Sequence, residues 1–176
     1  MNIHPLFVHF PIALLVIYAF MEIIPQVWVF KTQWWNSTKM FLSIIGILSI
    51  APTLITGDIA EDAIIAINPK LTPLIETHAT MAAITAIVFL IPAIAYATKI
   101  IETTDWHRKI LLRYKWYSLI ANILHKISIF TLHRWAIFTL ATLGIILLTI
   151  TGGLGASIVY GPDFDPIISF IYGLFF

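Results

Sequence analysis

The sequence predicts an all-α fold, an integral membrane four-helix bundle with an amphipathic helix along the cytoplasmic interface. Three observations predict it. Of the 176 residues, 60% are hydrophobic and only 11% are charged, giving more apolar surface than a soluble domain of this size can bury. Four segments are long and apolar enough to cross a hydrocarbon core, which takes about 20 residues of helix. The ten Lys and Arg residues are also spread very unevenly over the connections between those segments. No linker, charge block, internal repeat or low-complexity tract divides the chain, so residues 1–176 form a single transmembrane domain.

The first span is expected at about 5–29. It opens PLFVHFPIALLVIYAF with no basic stretch before it, so it is read as a mature helix and not as a cleaved signal peptide. The second, third and fourth spans are expected at about 39–57, 76–98 and 134–156. Pro11, Pro25, Pro52 and Pro92 fall within or near them and mark kinks, which lipid tolerates where packed neighbours satisfy the freed carbonyls. Gly46, Gly57, Gly144, Gly152, Gly153 and Gly155 offer either close helix approach or room for a flat cofactor.

The connection before the fourth span is too long for a turn. Lys109, Arg113, Asn122, His125 and Lys126 recur there on a roughly helical stripe, so an amphipathic helix at about 106–130 should lie along the interface. Trp106, Tyr114, Trp116, Tyr117 and Trp135 suit the headgroup boundary, and the basic face suits anionic lipid. A fifth crossing competes with this reading but would place His125 and Lys126 near mid-membrane, at a cost of a few kcal/mol. The apolar C-terminal tail, 166–176, is too short to span and too apolar for water. It either lies in the outer interface or docks on another membrane subunit.

Orientation follows from the basic residues. Lys31, Lys39, Lys99, Arg108, Lys109, Arg113, Lys115, Lys126 and Arg134 flank one side, and Lys70 alone flanks the other. The positive-inside rule assigns the first side to the cytoplasm. Both termini then face outward, as in a bacterial inner-membrane protein with periplasmic ends. His4, His9 and His78 share the outer side with Asp58, Glu61, Asp62, Glu76, Asp163 and Asp165. His107, His125 and His133 fall in the basic connection and are read as interfacial residues.

Absence of Cys excludes disulfides, iron–sulfur clusters, thiolate-ligated haem and covalently attached haem. A net charge of +1 gives no reason to expect nucleic acid. Metal chemistry therefore falls to His, Met, carboxylate and Tyr. The first and third spans cross in the same direction, so His9 and His78 should lie at matching depth. Two neutral imidazoles on facing helices suit the axial positions of one b-type haem. His4 precedes His9 by five residues, about 140° around a regular helix, so the two cannot share a centre there. Pro5 places His4 at or before the helix start, where it would bond a haem propionate, join a metal site as third ligand, or meet water. A rival site would combine these histidines with Asp58, Glu61 or Asp62 around zinc, iron or copper, though no HExxH or Glu-x-x-His pattern is present. Glu22, inside the first span, either pairs with a polar neighbour, carries protons, or sits near the inner interface.

Four stretches together resemble a known family. HPLFVHFPIALL (His4 to Leu15), TGD (Thr56 to Asp58), the lone His78 and GGLGASIVYGPDF (Gly152 to Phe164) are similar to those of the small four-helix predicted membrane proteins grouped as domain of unknown function 2231. The resemblance covers roughly 3–98 and 134–165, and its most specific part is the opening His-Pro followed by His-Phe-Pro. It implies a four-helix bundle, draws attention to His4, His9 and His78, and implies a small redox-associated membrane subunit. The chain departs from the family pattern in its long basic connection and in YGPDFDP, where the usual ending is rich in Gly and Val.

The expected function is therefore that of a cytochrome b-like subunit, with His9 and His78 holding one haem b near the outer face and relaying electrons to an external cytochrome or quinone. No catalytic residue or independent active site stands out. The alternatives are a non-redox structural or assembly subunit of a larger membrane complex, and a His/carboxylate metal-binding membrane protein. Expected partners are membrane lipid and further membrane subunits or copies of the chain.

Overall fold

A computed structural model of the chain describes residues 3–24 and 33–176. Pro25, Lys31 and the last residues expected in the first span lie outside the described residues. Among the described residues eight helices follow in order: α1 His4–Ile23, α2 Gln33–Leu48, α3 Ile50–Ile67, α4 Thr72–Glu102, α5 Asp105–Arg113, α6 Lys115–Thr131, α7 Arg134–Tyr160 and α8 Pro166–Tyr172, with a 3-10 turn at Pro69–Leu71. No strand occurs among the described residues. Four stretches of the described residues are long and apolar enough to cross a membrane: α1, α2 with α3, the 3-10 turn with α4, and α7.

The second span is longer than the sequence suggested, because α2 and α3 run nearly continuously from Gln33 to Ile67. The break at Ser49 has a covalent cause. Pro52 cannot donate to the Leu48 carbonyl and its ring crowds that carbonyl, so α2 ends there and α3 starts two residues on. Pro11 sits inside α1 and leaves the Phe7 carbonyl without its helical donor. The Thr53 hydroxyl of α3 donates to it at 3.2 Å, so a neighbouring span satisfies what the proline removed.

The spans form a square. α1 packs on α2, α3 and α7, and α4 packs on α2 and α7, so α1 and α4 stand diagonally opposite. Tyr18 of α1 reaches across the middle, its ring edge-on to Phe89 and Tyr96 of α4 at 6.3 Å from each. Leu15, Ala19, Trp35, Leu42 and Ala141 complete this core. Large side chains occupy the space left by interior glycines. A Cβ on Gly46 would lie 2.6 Å from Leu15 Cδ2, and one on Gly144 2.6 Å from Phe89 Cζ. These glycines serve close packing, not room for a flat cofactor.

The connection expected at 106–130 is two helices, α5 and α6, broken at Tyr114, whose backbone is extended. α6 packs on α4, burying Ser128 and Thr131. The tail folds back within its own chain. Asp165 caps α8 by accepting from the Ile167 and Ile168 amides, and Ile168 and Ile171 are buried, Ile171 against Gly153 of α7. Small residues on α7 are what admit it.

Candidate functional site

His4 and His78 lie at the same end of the bundle. Pro73, at the first turn of α4, supplies a preset φ and lacks an amide that would have no partner there, and His78 follows one and a half turns on. Its Nδ1–H donates to the Thr151 carbonyl of α7 at 3.0 Å. A carbonyl can only accept, so the neutral ring carries its lone pair on Nε2, the arrangement that metal-binding histidines adopt. The Thr151 hydroxyl in turn meets the Thr85 hydroxyl of α4 at 3.0 Å, fixing the α4–α7 contact from which the ring projects.

His4 opens α1, with Pro5 behind it in the first turn. Its Nδ1 lies 3.1 Å from the Thr56 hydroxyl of α3. That hydroxyl donates to the Pro52 carbonyl at 2.9 Å, so the same residue that breaks the second span also orients the partner of His4. Both histidines are half-buried, near enough that a positive charge on one would oppose a charge on the other.

Each ring rests on a glycine. A Cβ on Gly57 would stand 3.3 Å from His4 Cε1, and one on Gly155 3.1 Å from His78 Cε1. TGD and GGLG thus place a missing side chain where an imidazole needs the space. Gly152 has nothing near it.

His9 lies elsewhere. α1 is regular helix from His4 onward, which turns His9 about 140° away from His4. It is exposed, and its Nδ1 bonds the Pro5 carbonyl one turn back. Of the three histidines singled out in the sequence, His4 and His78 are half-buried at the same end, and His9 is exposed. The carboxylates do not join them. Asp58 and Asp62 are exposed on α3, and no three His, Asp or Glu side chains converge as a metal-ligand set among the described residues. His107 and His125 pair within the basic region, with Tyr117 at 2.8 Å and Glu102 at 2.7 Å, and His133 precedes α7 on the surface.

A second polar site occupies the opposite end. Glu22 stands at the close of α1, as its position suggested, but it is buried and paired, not solvated. Lys39 Nζ of α2 donates to Glu22 Oε2 at 2.8 Å, and the Tyr96 hydroxyl of α4 donates to Oε1. The Lys39 and Glu22 side chains are 5% and 2% exposed. The buried hydroxyls of Tyr18 and Ser43 face each other nearby without reaching hydrogen-bond geometry. Sequence reasoning counted Lys39 only toward orientation and passed over Tyr96. The available signal was Glu22 and Lys39 at matching depth on consecutive antiparallel spans.

A cavity of about 360 Å³ lies at the histidine end between α4, α7 and α8, lined by Lys70, Leu74, Ile158 and Tyr172 among others, and the histidines do not line it. No curated protein and no solved structure matches the chain. The profile of the predicted membrane proteins called DUF2231 matches residues 1–163, and the chain belongs to that family.

Proposed function

We propose that the chain is a haem-binding subunit of a membrane electron-transfer complex, with His4 and His78 as the residues that would hold one b-type haem. The observation that carries this reading is the placement, at the same end of the bundle, of two half-buried imidazoles from diagonally opposed spans, each seated over a glycine. The donor set fits the group, because two neutral nitrogen ligands and no carboxylate or thiolate is a common axial set for haem b. Bound there, the haem would supply a one-electron couple. The protein's own contribution is positional. The Thr151 carbonyl holds the His78 tautomer and makes Nε2 a better donor. Thr56 holds His4 at the mouth of α1. The apolar spans around them exclude water and so help set the potential. With the basic residues on the cytoplasmic side, this end faces outward, and exchange would run to an external cytochrome or quinone.

A second reading is favoured by one observation. The space at Gly46, Gly144 and Gly153 is already filled by Leu15, Phe89 and Ile171, which suits a structural subunit whose histidines serve only to join helices.

Haem-to-protein ratios measured by pyridine haemochrome on detergent-purified variants separate the two. The haem reading expects His4→Ala and His78→Ala to lose the haem while His9→Ala, His125→Ala and His133→Ala keep it. Full occupancy in either of the first two overturns the ligand assignment, and a colourless wild-type protein that stays colourless after haem addition favours the structural subunit.

A further inference from the structure

The elbow between α5 and α6 concentrates charge that its surroundings do not neutralise. Carboxylates there are few and engaged. Glu102 is taken by His125 at 2.7 Å and Lys99 at 3.9 Å, and Asp105 reaches Arg108 at 4.0 Å. Lys109, Arg113 and Lys115 have no carboxylate within ion-pair distance among the described residues, and all three are exposed.

Their arrangement is specific. On α5, Trp106, Lys109 and Arg113 stand at i, i+3 and i+7, so they form one row along the helix. Lys115 follows directly after the extended Tyr114, and the Arg113 guanidinium lies over the Tyr114 ring at 5.5 Å. The elbow is also braced from behind. His107 Nδ1 and the Tyr117 hydroxyl are 2.8 Å apart, tying α5 to α6, and the Trp106 and Trp116 rings meet the Tyr117 ring edge-on at 6.3 Å and 5.9 Å. Apolar side chains sit beside the cations, with Leu112 84%, Trp116 63% and Trp106 61% exposed.

Such a surface needs an anion and a hydrocarbon phase together. A soluble acidic partner supplies the first alone. A bilayer surface supplies both, and it is always adjacent, because α5 and α6 are tied at either end to the long apolar helices α4 and α7. We infer that the α5–α6 elbow is a binding site for the headgroup of an anionic phospholipid, with Lys109, Arg113 and Lys115 holding the phosphate and Trp106 and Trp116 seated at the headgroup boundary. This site is independent of the histidine end and stands whether or not haem binds there.

Native mass spectrometry of the full chain, with phosphatidylglycerol and phosphatidylcholine as probes, tests it. The wild type binds phosphatidylglycerol more tightly, and each cation removed weakens that binding about fivefold, the equivalent of about 1 kcal/mol per basic residue. A Lys109→Gln/Arg113→Gln/Lys115→Gln variant therefore loses on the order of 100-fold and binds the two lipids alike. Lys126→Gln, an exposed charge elsewhere on α6, keeps the preference. These residues are exposed, and a helical circular dichroism spectrum matching wild type shows that the variants fold. Equal affinity of the wild type for both lipids overturns the site, as does a preference that survives the triple change or is lost equally in Lys126→Gln. Displacement of phosphatidylglycerol by millimolar inorganic phosphate would overturn the assignment to lipid.

Discussion

Lys39→Met is the sharpest test of the packed bundle. The substitution keeps length and apolar stem but removes the ammonium 2.8 Å from Glu22 Oε2. Both side chains are almost wholly buried, at 5% and 2% exposure, so no water replaces it. At an effective dielectric constant of about 20 the attraction at this distance is about 6 kcal/mol before desolvation is counted. The Tyr96 hydrogen bond remains but cannot neutralise the carboxylate. Removing one partner of a buried pair costs about 3–5 kcal/mol, whereas replacing both with neutral groups of similar volume is close to neutral. Lys39→Met should therefore lose about 3–5 kcal/mol, and Glu22→Gln/Lys39→Met should lie within about 1 kcal/mol of wild type. Reversible unfolding of Lys39→Met, Glu22→Gln and the double variant in mixed detergent micelles measures the pair as a double-mutant cycle. A single substitution costing less than about 1 kcal/mol, or a double costing the sum of the two singles, would refute the buried pair.

The remaining expectations concern the glycines and the tail. Gly155→Val drives side-chain atoms toward His78 Cε1, which a Cβ would already approach at 3.1 Å; it should lower haem occupancy in the haemochrome assay. Gly152→Ala meets open space and should leave occupancy unchanged, with stability equal or higher by up to about 1 kcal/mol. Gly144→Ala forces a methyl to 2.6 Å from Phe89 Cζ and should cost about 1–3 kcal/mol in thermal unfolding, recovered by Phe89→Leu as a second change. Ile171→Ala removes the side chain that seats α8 on Gly153 and should cost about 2–5 kcal/mol of docking, seen as faster proteolysis in the 160–166 turn; unchanged cleavage would mean that the tail is held otherwise.

The four spans were legible because lipid selects for uninterrupted apolar helix, and composition records that directly. Boundaries were less so. Pro52 marked a break correctly, but the helix resumes at Ile50 and continues past Asp58, since exposed charge on the outer turns of a helix does not end it. The proposed histidine pair was half legible. His78 was found from its isolation in an apolar span, while depth alone matched His9 to it. Rotation about α1 determines which of His9 and His4 is exposed, and that depends on where the helix becomes regular. With the helix regular from His4, the 140° offset noted in the sequence turns His9 outward. The Glu22 network was hidden for a different reason: Lys39 reads as an ordinary flanking lysine until α2 is seen to begin at Gln33.

The central claim is that His4 and His78 ligate one haem. An oxidised and dithionite-reduced visible spectrum of the purified wild type, taken beside His4→Ala and His9→Ala, tests it most directly. A sharp reduced b-type band in the wild type and His9→Ala, absent from His4→Ala, is the predicted result. A band that survives in His4→Ala, or no band in the wild type after haem addition, would contradict it.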